Sequence, residues 1–140
     1  MRFVLVVLLF ALVLAPATMA DRQPVLKAGS SSYGKVLFDG RGFVLYGFTR
    51  DHRRSACYGA CAKAWPPFFA PKGTLTVGAG VKKSLLGIVV RKNGRRQVTY
   101  AGKPLYYYVG DTKPGQILCQ DVFEYGGRWL IVRPSGKLVR

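Results

Sequence analysis

The chain has 140 residues, with 22 Lys and Arg against 6 Asp and Glu, a formal net charge of +16, and 17 Gly, 8 Pro, 8 Phe, 8 Tyr and 2 Trp. That length bounds the fold to one small domain, and so many turn formers and aromatics, without long amphipathic periods, exclude a helical bundle and imply a mainly β protein. The charge attracts polyanions and repels a second copy of the chain, so a monomer is expected.

Met1 to Ala20 reads as a signal peptide: Arg2 is the positive start, Phe3 to Leu14 is an apolar run, and Pro16 to Ala20 supplies small residues for cleavage after Ala20. The competing reading is an uncleaved anchor, for which the run is short. No other segment is long and apolar enough to span a bilayer. Residues 21–32 are polar, contain Pro24 and end in Gly29-Ser30-Ser31-Ser32, the composition of a flexible linker.

The domain is expected over residues 33–140. Lys35 to Phe38 and Phe43 to Phe48 flank Asp39-Gly40-Arg41-Gly42, which predicts a hairpin. Ser55 to Trp65 is Ala-rich, can be capped by Ser55 and must stop at Pro66-Pro67, so one short helix is expected there. Phe68 to Lys83 is a Gly- and Pro-containing connection with a brief strand at Thr74 to Val77. Leu86 to Lys92 and Arg95 to Tyr100 flank Asn93-Gly94, a strong hairpin signal. Arg96 to Tyr100 then leads through Ala101-Gly102-Lys103 into Pro104 to Tyr108, and Pro134-Ser135-Gly136 turns Arg128 to Arg133 back on Lys137 to Val139.

Two of these stretches are copies. Tyr46-Gly47-Phe48-Thr49-Arg50-Asp51 and Tyr106-Tyr107-Tyr108-Val109-Gly110-Asp111 share Tyr-x-aromatic-x-x-Asp in register, each on the second strand of a predicted hairpin. The chain therefore reads as a small single domain of two hairpin-based repeats, about 33–67 and 93–133. Tyr46 with Phe48, and Tyr106 with Tyr108, are two apart and share a strand face. These rings are expected in the core, where a fully buried Phe-sized side chain contributes ~1.5 to 3 kcal/mol; an aromatic platform for a ring-bearing ligand is the sharper alternative. Asp51 and Asp111 precede turn-like sequence and are expected to accept backbone N–H bonds there, a paired-carboxylate site being the alternative.

These motifs, with Ser55-Ala56-Cys57-Tyr58-Gly59-Ala60-Cys61-Ala62-Lys63-Ala64-Trp65-Pro66-Pro67 after the first and Tyr125-Gly126-Gly127-Arg128-Trp129 after the second, resemble the bacterial secreted-repeat family marked by that Tyr and Asp pattern, whose members are often described as lipoproteins. The resemblance covers nearly all of residues 33–140 and implies no assigned activity. Unlike many members, this chain has no Cys near the leader junction to carry a lipid. Of Cys57, Cys61 and Cys119, loop entropy alone favours a link to Cys119, ~4 kcal/mol against ~2 for the small loop. The resemblance instead implies a disulfide between Cys57 and Cys61.

The catalytic inventory is thin. His52 is the only His and Glu124 the only Glu, and no nucleophile elbow, phosphate loop, dinucleotide fingerprint or zinc-protease motif occurs. The expectation is a non-enzymatic protein exported to the periplasm, envelope or exterior, without cofactor or metal. Its partners would be anionic envelope polymers or lipid head groups, met by Arg91, Lys92, Arg95 and Arg96 at a projecting hairpin, with no DNA sequence preference. The alternative is a small-ligand or redox module holding haem, a quinone, or copper at His52, Cys57 and Cys61.

Overall fold

The computed structural model describes residues 25–140. The expected signal peptide, its cleavage point and the first residues of the linker lie outside the described residues. The elements are β1 (Leu26–Ser31), β2 (Gly34–Asp39), β3 (Tyr46–Phe48), α1 (Ala60–Ala64), a 3-10 turn (Lys83–Leu85), β4 (Leu86–Val90), β5 (Arg96–Tyr100), β6 (Lys103–Pro104), β7 (Val122–Glu124) and β8 (Gly127–Ile131). They form three small antiparallel sheets, ordered β1-β2, β3-β8-β7 and β4-β5-β6. The protein is mainly β with one short helix.

The linker expectation needs correction. Leu26–Ser31 is a strand, paired with β2 from Leu26 opposite Asp39 to Ser31 opposite Gly34. Its small residues serve packing rather than flexibility: a Cβ on Gly29 would lie 2.8 Å from the Phe38 ring, so that ring needs the bare backbone beneath it. Ser31 closes the turn, its hydroxyl donating to the Gly34 carbonyl and accepting the Tyr33 N–H. Leu26 is fully buried and anchors the strand.

The Asn93-Gly94 hairpin forms as expected between β4 and β5, with Gly94 at φ 80. Both predicted Tyr hairpins are present but brief. Leu45 donates its N–H to Leu37 O at 3.1 Å in one copy, and Leu105 donates to Val98 O at 3.0 Å in the other. Each chain segment then leaves its hairpin at Tyr46 or Tyr106. The helix is shorter than expected, because Gly59 at φ 57 starts it late and the Ser55 hydroxyl points inward to Gln97 instead of capping it.

A reciprocal exchange joins the copies. Tyr46 and Tyr106 donate to each other's carbonyls, both at 2.9 Å, across an approximate two-fold axis. Three residues after Trp65, Phe68 enters the second copy, accepting from Val98 at 2.9 Å and donating to Leu105 at 2.8 Å. Three residues after Trp129, Val132 enters the first copy in the same way, accepting from Leu37 at 2.9 Å and donating to Leu45 at 3.2 Å. The equivalence of these bonds makes Trp65 and Trp129 counterparts. Two apolar clusters result, one around Tyr46, Trp65, Tyr106 and Trp129 and one around Leu37, Leu45, Val98 and Leu105.

Candidate functional site

The repeated motif converges on the axis between the copies. Four rings form a stack: Phe48 on Trp129 at 4.1 Å and 8°, Trp129 on Trp65 at 4.1 Å and 5°, and Trp65 against Tyr108 at 4.8 Å and 38°. Tyr46 meets Trp65 edge-on, and Tyr106 meets Trp129 edge-on, at 5.2 and 5.1 Å. Both indole N–H groups donate to Glu124, that of Trp65 to its carboxylate and that of Trp129 to its carbonyl. Each copy thus supplies alternate members of one aromatic centre. Phe48, Trp65 and Trp129 are buried, and Tyr108, at the end of the stack, is half-buried, so three of the four rings belong to the core.

The two acids are also exchanged. The Tyr46 hydroxyl of the first copy donates to Asp111 Oδ2 of the second at 2.7 Å, while Asp111 Oδ1 accepts the Leu118 N–H at 2.9 Å. Asp51 Oδ1 accepts the Ala56 N–H at 2.7 Å, and the Asp51 and Asp111 N–H groups close matching turns onto Phe48 and Tyr108. Symmetry would have the Tyr106 hydroxyl donate to Asp51. Instead Asp51 Oδ2 and Tyr106 OH are both buried without a hydrogen bond. Burial accordingly pushes the Asp51 carboxyl up to about 6, against the opposing pull of the Ala56 N–H, Arg91 and His52. Asp111 is raised too, again by burial, with its two donors opposing. Burial and the facing carboxylates raise the Tyr46 and Tyr106 hydroxyls well above the usual tyrosine range.

Arg91 has to be removed from the expected surface group. It is only 4% exposed, donating to Gln97 Oε1 at 2.7 Å and to the Cys57 carbonyl at 2.6 Å, with its guanidinium 4.2 Å from the centre of the Tyr58 ring. Gln97 in turn accepts from Ser55 and donates to the Leu105 carbonyl at 2.8 Å. A charge this deep is held by hydrogen bonds from both terminal nitrogens and by a ring, with Nε alone buried and unpartnered, and so it ties the Cys57 loop to β5 rather than facing a partner. Lys92, Arg95 and Arg96 are exposed.

Cys57 and Cys61 form a disulfide, as the resemblance implied, and Cys119 is free beside Tyr108. The copper set of His52, Cys57 and Cys61 therefore lacks its two thiolates, and among the described residues no group of three or more His, Cys, Asp or Glu is gathered. Sequence reasoning placed Tyr46, Phe48, Asp51, Tyr106, Tyr108 and Asp111 as matched residues but did not place Trp65 and Trp129 with them. The available signal was their order, each Trp following its own motif Asp by a comparable stretch.

Fold and centre together define a tandem-repeat β domain whose two copies complete one another. The chain belongs to the family described as a secreted repeat of unknown function, which matches it at residues 27–68 and 87–133. The matches begin within β1 and within β4, the strands that pair with β2 and β5. No curated protein and no solved structure matches the chain. No helix among the described residues is long and apolar enough to cross a membrane.

Proposed function

We propose that this protein is a non-enzymatic, exported binding protein that attaches to anionic envelope polymers or lipid head groups through its basic surface, after removal of residues 1–20. The observation that carries this reading is the surplus of unpaired cation. Only two ion pairs occur among the described residues, Arg41 with Asp39 and Arg128 with Asp121, in a chain whose full sequence carries a net charge of +16. Lys92, Arg95 and Arg96 stand exposed around the β4–β5 turn, and Arg53, Arg54, Lys82 and Lys83 are exposed elsewhere. Charges on one short turn lie within a Debye length of ~8 Å at physiological salt, so their fields add toward a polyanion. The motif aromatics and acids then act as the frame that holds this surface.

Salt elution from immobilised heparin tests the reading. The parent is expected to bind and to elute steeply with salt, and the Lys92→Gln, Arg95→Gln, Arg96→Gln variant to elute at markedly lower salt with an unchanged unfolding midpoint. Equal elution of the two proteins would mean that the hairpin is not the binding element. Small-ligand binding is the second reading, favoured by one cleft.

A further inference from the structure

Phe69 and Pro71 form a ridge between two adjoining depressions of unlike chemistry. On one side lies a cleft of about 450 Å³ walled by Val25, Pro67, Phe68, Phe69, Pro71 and Tyr107. Its volume falls within the ~300 to 1,000 Å³ typical of small-ligand sites, and its walls are apolar. Its single acid is already occupied: Asp39 accepts the N–H groups of Arg41 and Phe43 on one oxygen, and Arg41 Nε and the Tyr107 hydroxyl on the other. That arrangement leaves the terminal nitrogens of Arg41 at the cleft edge without a partner among the described residues, on a side chain 71% exposed.

On the other side of the ridge lies a depression of about 300 Å³ lined by Phe69, Ala70, Pro71, Lys72, Gly94, Arg95 and Arg96, with no acid in its wall. The Arg95 guanidinium sits 3.3 Å from the centre of the Phe69 ring. Stacking fixes its plane while leaving its donors free, the arrangement by which arginine presents a fork to phosphate. An apolar cleft continuous with an uncompensated cationic rim complements one kind of molecule: an anion that carries a hydrocarbon chain.

We propose that this is a binding site for an anionic lipid, its phosphate held by Lys72, Arg95 and Arg96 and its chain laid across Phe69 into the cleft beneath Tyr107. The proposal deepens the anionic-partner reading and rests on it, sharing Arg95 and Arg96 and adding Lys72. A bare polyanion has no use for the cleft, and a neutral amphiphile has none for the rim. Only the lipid uses both.

The test uses the secreted chain and a series of alkyl phosphates below their micelle concentrations, with binding followed by calorimetry. Affinity is expected to rise from octyl to decyl phosphate by roughly fourfold per methylene, in keeping with transfer of the chain out of water. Filling the cleft with Val25→Trp, or independently with Gly40→Trp, at two positions that line the cleft and not the cationic depression, should weaken decyl phosphate at least tenfold and leave heparin elution unchanged. Lys72→Gln with Arg95→Gln and Arg96→Gln should weaken both ligands, and an alkyl glucoside of the same chain length should bind at least tenfold more weakly than decyl phosphate. Inorganic phosphate binding as tightly as decyl phosphate, or no loss on filling the cleft in two variants that unfold normally, would overturn the lipid site and leave the polyanion reading standing. Chain-length-dependent binding of decyl phosphate by a protein that heparin does not retain would do the reverse.

Discussion

Asp51 makes stability depend on pH in a direction opposite to that of most protein carboxylates. Its folded-state value of about 6 stands above the ordinary 3.8, with burial as the largest cause. Between those two values the folded protein holds a proton that the unfolded chain has released. Its contribution is therefore fully present below pH 3.8 and is lost as pH rises through about 6. A displacement of about 2 pH units corresponds to about 3 kcal/mol. Asp51→Asn keeps an oxygen for the Ala56 N–H and removes the charge, so the variant should be more stable than the parent by about 1 to 3 kcal/mol at pH 7. That advantage should shrink toward zero below pH 4. Urea unfolding at constant ionic strength, at half-unit steps from pH 4 to 7.5, measures it. Comparing the two proteins cancels the rise in net positive charge that accompanies acidification. A stability difference that stays constant across the window, or that favours the parent at neutral pH, would refute the claim that Asp51 is held charged against an unfavourable environment.

The exchanged tyrosines should respond unequally: Tyr46→Phe leaves a buried Asp111 oxygen without its donor and should cost about 1 to 3 kcal/mol, whereas Tyr106→Phe removes a hydroxyl that has no partner and should shift the urea midpoint little. Gly29→Ala forces a methyl against the Phe38 ring and should destabilise by about 1 to 3 kcal/mol, read from thermal unfolding; an unchanged midpoint would show that the ring can move aside. Reducing the Cys57–Cys61 bridge should cost about 2 kcal/mol on the loop-entropy model, and Cys119→Ser should show the same loss on reduction, since Cys119 is outside the bridge.

Much of the local structure was legible because it depends on neighbours in the chain. Asn93-Gly94 and Pro134-Ser135-Gly136 turn where their backbone preferences require, and Pro66 ends the helix. The relation between the copies was not legible, since Tyr46 paired with Asp111 and Tyr46 paired with Asp51 leave the same trace in a repeat of fixed spacing. β1 escaped notice because Gly29 to Ser32 has the composition of a linker, and only the Phe38 ring above Gly29 explains why a strand is built from it. β7 was likewise unexpected, as its middle residue Phe123 is 66% exposed and shows no buried period. Arg91 differs from Lys92, Arg95 and Arg96 by nothing in the sequence. What separates it is a tertiary neighbour, the Cys57 carbonyl, brought to it from 34 residues away.

The crossing of Phe68 into one copy and Val132 into the other means that neither copy is a self-sufficient folding unit. A single copy, alone in solution, would expose an unfilled slot between its hairpin and its Tyr strand, together with a Trp-bearing segment seeking such a slot. Two such polypeptides would satisfy each other, so the present chain has the architecture of an intertwined homodimer written as one polypeptide. Joining the halves through the stretch from Phe69 to Leu85 makes their encounter intramolecular, at an effective concentration on the order of millimolar. Covalent linkage keeps the interlock independent of protein concentration.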